Sequence, residues 1–254
     1  MMKTIAPAKV NIFLKITGLR GNYHELHSRF VRVDSLFDQL IFEEKEHPQK
    51  GFECIASTPL PAENTVTKAY RLLADIAPQI EHFFTNHRVI LEKSIPQGAG
   101  LGGGSSDAAA FLNLCNEVCG LKLSKEKLAT IGEKIGADVP FFVYGYPSAN
   151  VEGIGEIITP FEEEPPQLKL FTPNLHCDTA LVYKTFRAHF IDDISPTVAK
   201  RWLKEPSKTL MQQLQPLEAN DLYKAALIAY PELKSYATPH SFFSGSGSTF
   251  FTLS

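Results

Sequence analysis

Between Pro96 and Ser106 the chain reads PQGAGLGGGSS, with five glycines in the seven positions 98–104. Glycine loses more backbone freedom on folding than any other residue. A run this dense is kept where the main chain must take positive φ or be approached closely. The residues that follow open a helix: Ser105-Ser106-Asp107, then an apolar stripe at Phe111, Leu112, Cys115, Val118 and Cys119, with Gly120 as its stop. A glycine loop feeding a helix N-terminus presents unpaired N–H groups and the positive end of the helix dipole, and phosphate is the natural ligand. The candidate phosphate-binding residues are therefore Pro96, Gln97, Gly98, Ala99, Gly100, Leu101, Gly102, Gly103, Gly104, Ser105 and Ser106.

Two better-known phosphate loops fit less well. Gly98, Gly100 and Gly103 satisfy G-x-G-x-x-G. The dinucleotide fingerprint, however, needs a second strand ending in an acidic residue. Here the next element reads as another helix, capped by Ser124, burying Leu128, Ile131 and Ile135, and ended by Gly136. A Walker loop needs its own lysine, and none lies between Lys93 and Lys122. Cationic help must come from elsewhere. In the first strand Val10, Ile12, Leu14 and Ile16 alternate with Lys9, Asn11, Phe13 and Lys15, which puts Lys9 and Asn11 on one face. Lys9 is the candidate cation. Asp138, in Gly136-Ala137-Asp138-Val139-Pro140, is the candidate carboxylate. It reads equally as a proton acceptor for a hydroxyl or as a turn aspartate holding local N–H groups.

Elsewhere, strand-like runs occupy 30–43 and 87–93, and a helical pattern follows Asn64 with Ala69, Leu72, Leu73 and Ile76 at helical spacing. Glu162-Glu163-Glu164-Pro165-Pro166 reads as a linker, dividing an N-terminal half (1–160) from a C-terminal half (167–254). Beyond it come a strand at 168–171, helices around 179–190, 196–203, 207–214 and 221–229, and SGSGS between short aromatic strands at 241–253. This order predicts an α+β fold and not a regular βαβ alternation. A formal net charge of −3, from 25 basic and 28 acidic residues, speaks against a nucleic-acid partner. No stretch is apolar enough to span a bilayer and no leader is visible, so no membrane partner and a cytoplasmic chain are expected. The four cysteines lack zinc-site spacing and read as reduced, small apolar residues.

Three segments together, Pro7-Ala8-Lys9-Val10-Asn11, PQGAGLGGGSSDAA and Ser244-Gly245-Ser246-Gly247-Ser248-Thr249, resemble the galactose, homoserine, mevalonate and phosphomevalonate (GHMP) kinase superfamily. Tyr23-His24-Glu25-Leu26, the triple glycine before Ser105, GADVPFF at 136–142 and Glu152-Gly153-Ile154-Gly155-Glu156 resemble the branch whose acceptor is a methylerythritol linked to cytidine diphosphate. The resemblance covers residues 4–160 and resumes at 241–251. It implies a two-lobed α+β fold with the active site in the cleft between the halves; as a departure from the family, a shortened C-terminal half is expected here. It implies transfer of the ATP γ-phosphate to the acceptor's 2-hydroxyl, with Lys9 and Asp138 as the catalytic pair. Mg²⁺ is implied without assigned ligands, Ser105 or Ser106 being the candidates. The acceptor contacts it implies are Asn11, Tyr23, His24, Phe30, Thr179 and Tyr183; it does not fix the adenine contacts, for which Asn64 and the segment around Lys93 are the candidate neighbours. A monomer or homodimer is expected. Gly21-Asn22 stands where the family has Asp-Gly, which alters the turn before Tyr23. Homoserine or a mevalonate-type acceptor carries no base for Tyr23 and His24 to recognise. A catalytically dead relative would have lost Lys9 or Asp138, and both are present.

Overall fold

The structure, a computed structural model, describes residues 2–254. Alternation of apolar residues over two unusually long runs produces its first two strands, β1 (Met2–Arg20) and β2 (Tyr23–Glu44), which pair with each other across the Gly21-Asn22 turn. These strands pass through both of the compact units into which the chain divides. One unit gathers the residues through Ala8, Asp34–Ile95 and Gly103–Gly145; the other gathers Lys9–Val33, Pro96–Gly102 and Tyr146–Ser254.

The first unit adds β3 (Cys54–Ala56), α1 (Thr65–Ala74), α2 (Gln79–Asn86), β4 (His87–Glu92), α3 (Gly103–Val118), α4 (Lys125–Glu133) and α5 (Val139–Tyr144). The C-terminal half of β2 runs antiparallel to β4, Leu40 opposite Leu91 and Phe42 opposite Val89, and β3 lies parallel on the other side of β4. Phe42, Phe84 and Phe111 meet with ring centroids 5.2–5.7 Å apart, and Tyr70 stacks on Phe52 at 4.1 Å. This aromatic core holds α1 and α3 to the sheet. Both expected caps form. The Asn64 side chain accepts from Val66 N and Thr67 N at 3.0 Å, and Ser124 accepts from Lys127 N at 3.3 Å.

The second unit contains β5 (Ser148–Glu152), β6 (Ile157–Pro160), β7 (Leu168–Phe171), α6 (Thr179–His189), α7 (Pro196–Trp202), α8 (Ser207–Gln213), α9 (Pro216–Ala219), α10 (Asp221–Ala229), β8 (Phe242–Phe243) and β9 (Phe250–Leu253). The N-terminal half of β2 pairs antiparallel with β5, and β5 with β6. A second sheet has the order β7-β9-β8. Trp202 packs edge-on against Phe13 at 5.6 Å, and Tyr223 stacks on Phe243 at 4.6 Å.

The α+β expectation holds, as do the four C-terminal helices. Six elements were not anticipated: β3, α2, α5, β5, β6 and α9. The partition at 160/167 differs from the compact units, because residues 9–33, 96–102 and 146–161 cluster with the C-terminal residues. The expected linker is also tied down. The Glu163 carboxylate is buried, accepting from Ser148 Oγ at 2.6 Å and Ser207 N at 2.7 Å and lying 3.5 Å from the buried Arg29 guanidinium. Proline and charge read as flexibility in sequence; here the charge is a buried partner.

Candidate active site

Within the second unit, parts of the three motif segments meet: Lys9-Val10-Asn11, Pro96–Gly102 and Ser244–Thr249. Lys9 is buried in the sheet. Its backbone N–H donates to Leu101 O at 3.0 Å, and its Nζ donates to Asn11 Oδ1 at 2.7 Å and Gly100 O at 3.1 Å. The same Nζ stands 4.5 Å above the Phe30 ring, so the expected acceptor aromatic is buried beneath the lysine. Asn11 Nδ2 donates to Ser28 Oγ at 3.0 Å, and Asn11 N to Ser244 Oγ at 3.3 Å. Ser244 Oγ donates to Gly100 O at 2.9 Å, and Thr249 N to Ala99 O at 3.1 Å. The SGSGS segment thus clamps the glycine loop. Gly100 shows why the residue type is required: φ is +73°, and a Cβ there would lie 2.1 Å from the Ser244 carbonyl oxygen. Sequence patterning placed Lys9 beside Asn11, but the role of Ser244 had no local signal.

His24 and Tyr183 also meet in this unit. Their ring centroids are 5.0 Å apart, and Phe186 lies edge-on to His24 at 5.9 Å. Burial, with the nearby Arg187 charge, holds the imidazole below the usual histidine range and so neutral at pH 7. His24 Nε2 is buried with no partner. Thr179 Oγ1 pairs with Ser246 Oγ at 2.8 Å, joining the start of α6 to the clamp. Tyr23 is exposed.

The first unit holds the helix head. Gly103 packs where a Cβ would be 2.9 Å from Ile95 Cγ2 and 3.5 Å from Asp38 Oδ2, so a side chain there is excluded by the protein itself. Asp38, fully buried, accepts from Ile95 N at 2.8 Å and pairs with Lys93. Lys93 Nζ reaches Asp107 Oδ2 at 2.6 Å. Burial, reinforced by the Asp38 charge and opposed by Lys93, pushes the Asp107 carboxyl up to about 7. Asp107 Oδ1 and Ser106 Oγ, neighbours in the first turn of α3, are buried without hydrogen-bond partners. Such atoms carry a desolvation cost that a ligand would relieve. Gly136 lies against this turn, since a Cβ there would touch Ser105 Oγ at 3.6 Å. Asp138, two residues on, is the N-cap residue of α5 and makes no side-chain cap bond. The Asp38–Lys93–Asp107 triad was missed; its only sequence trace was Lys93 directly before the loop and Asp107 directly after it.

The GHMP kinases N terminal domain matches residues 64–146. A 4-diphosphocytidyl-2-C-methyl-D-erythritol kinase of Sulfurovum is 51% identical over 97% of this chain and 96% of its own length. The chain belongs to this kinase family. The family members of Sulfurimonas denitrificans and Campylobacter jejuni are 48% and 42% identical, each over 97% of the chain and over 94% and 98% of their own lengths. A crystal structure of a 4-(cytidine 5'-diphospho)-2C-methyl-D-erythritol kinase superposes with a TM-score of 0.79 at 34% identity, covering 100% of this chain and 90% of that one. A mevalonate kinase, at 14% identity and a TM-score of 0.65, shares the fold.

Proposed function

We propose that this chain transfers the γ-phosphate of ATP to the 2-hydroxyl of 4-(cytidine 5'-diphospho)-2-C-methyl-D-erythritol in the non-mevalonate route to isoprenoid precursors. The observation that carries the reading is the glycine loop pinned by Lys9, Asn11 and Ser244, with His24 and Tyr183 in the same unit. The loop and the first turn of α3 offer N–H groups to the triphosphate. Lys9 stabilises charge on the transferring phosphoryl group, and Asp138 orients the acceptor hydroxyl and takes its proton. Neutral His24 offers one donor and one acceptor to the cytosine edge, and Tyr183, with Thr179 beside it, a stacking surface. Tyr23 and Asn11 complete the acceptor contacts.

Mg²⁺, when bound, neutralises the triphosphate. Among the described residues no cluster of three or more metal-ligating side chains occurs, which suits an ion held by one or two protein oxygens and the phosphates. Ser106 Oγ and Asp107 Oδ1 are hard, buried oxygens without partners and fit that role. No helix among the described residues is long and apolar enough to cross a membrane. We place the enzyme in the cytoplasm, as a monomer or homodimer.

The test is ATP consumption by the purified chain with Mg²⁺, comparing the cytidine-linked acceptor with homoserine and mevalonate. Turnover with the cytidine-linked acceptor alone is expected. Turnover confined to another acceptor discards the base-recognition roles of His24 and Tyr183, and ATP binding without turnover on any of them overturns the reading.

A further inference from the structure

Side chains alternate across a strand, and β2 uses both of its faces. His24, Ser28 and Phe30 point to the groups just described. His27 and Arg29 point the other way. His27 Nε2 lies 3.2 Å from Glu152 Oε2; Arg29 donates to Asn150 Oδ1 at 2.7 Å and to Leu203 O at 2.9 Å. On this reverse side lies a cavity of about 570 Å³, lined by Asn150, Glu152, Lys200, Arg201, Leu203 and Lys204.

Three cations face one carboxylate there, in a chain whose overall charge is −3. Lys200 and Arg201 end α7, where cations also serve the helix dipole. Lys204 lies beyond the helix and lines the same cavity, so the dipole does not account for all three. The opposite wall is fixed: Asn150 receives Arg29 Nε and donates to Leu203 O at 3.0 Å. The cavity is open to solvent, and its volume lies within the range of about 300–1,000 Å³ of small-molecule sites.

We infer that this cavity is a second, non-catalytic site for a small phosphate-bearing molecule, bound through Lys200, Arg201 and Lys204 on the face of β2 opposite His24. The site stands apart from the proposed kinase reaction, and its test does not depend on turnover. The full chain would be titrated calorimetrically with inorganic pyrophosphate while a non-hydrolysable ATP analogue saturates the nucleotide site. Saturable binding is expected, weakened about tenfold or more in K200A/K204A, since charge-assisted contacts are lost. Both side chains are exposed, so the variant should melt like the parent and keep its catalytic rate without pyrophosphate. No binding with the nucleotide site filled, or equal binding by the variant, overturns the inference. Binding of a short DNA duplex in place of pyrophosphate overturns it in favour of a polymer partner.

Discussion

The surroundings of Lys9 and the head of α3 carry the same kind of polar residues but differ in how their hydrogen bonds are met. Around Lys9 every bond is met: the Asn11 side chain joins Lys9 to Ser28, and Ser244 Oγ accepts from Asn11 N and donates to Gly100 O, as Lys9 Nζ does. At the head of α3, Ser106 Oγ and Asp107 Oδ1 are buried with none. A satisfied network holds its members in place before any ligand arrives, whereas an unsatisfied one is stabilised by the ligand. The comparison separates residues that build the site from residues that wait for something to bind.

The largest effect falls on the chemistry. Asp138→Ala should lower kcat by about 10²–10⁴-fold with the KM for ATP little changed; steady-state kinetics checks this, and a collapse of ATP binding in a folded variant would remove Asp138 from its role as base. The contrast itself is tested next. Asn11→Ala removes the side-chain bonds to Lys9 and Ser28, leaving buried polar groups unpaired, and should lower the free energy of unfolding by about 1–3 kcal/mol. Ser106→Ala removes an unpaired buried hydroxyl, so urea denaturation should show no such loss while the affinity for Mg²⁺-ATP falls. Equal destabilisation by the two would erase the distinction. A smaller effect belongs to the acceptor: Tyr183→Ala should raise its KM about tenfold, the value of one stacking contact, and an unchanged KM would make Tyr183 a packing residue.

The smallest effect is a pH dependence. The Asp107 carboxyl titrates near 7 in the folded chain and in the ordinary carboxylate range when unfolded. Between those values the folded chain binds the extra proton, so stability falls as pH rises through that window and levels off above 7. From pH 6 to 8 the loss should be on the order of 1 kcal/mol in protein without nucleotide or metal, and Asp107→Asn should abolish it. Thermal melts of both proteins across that range read the difference; parallel curves would mean that Lys93 holds Asp107 ionised throughout.

Much of the fold was legible. Period-two alternation marked β1, capping residues marked α1 and α4, and the glycine run marked a loop opening on a helix. α2 was missed because its inward residues reduce to Ile80 and Phe84. β5 and β6 were missed because Ser148–Pro160 mixes turn glycines with few alternating apolar residues. Glu163 was misread because sequence shows a charge and not its partners, Ser148, Ser207 and Arg29.

The sequence by itself determined the chemistry on offer: a phosphate loop without its own lysine, a lysine and an asparagine on one face of the first strand, and an aspartate in a tight turn. Those features are local, set by backbone freedom and by the two- and 3.6-residue periods. Only the tertiary structure decided which groups are satisfied and which are left waiting. Ser244 meets Gly100 across 144 residues, Lys93 meets Asp38 across 55, and His24 rests on Tyr183 from another element. Hydrogen-bond satisfaction and carboxylate ionisation depend on what burial brings within about 3 Å, and no local pattern encodes that.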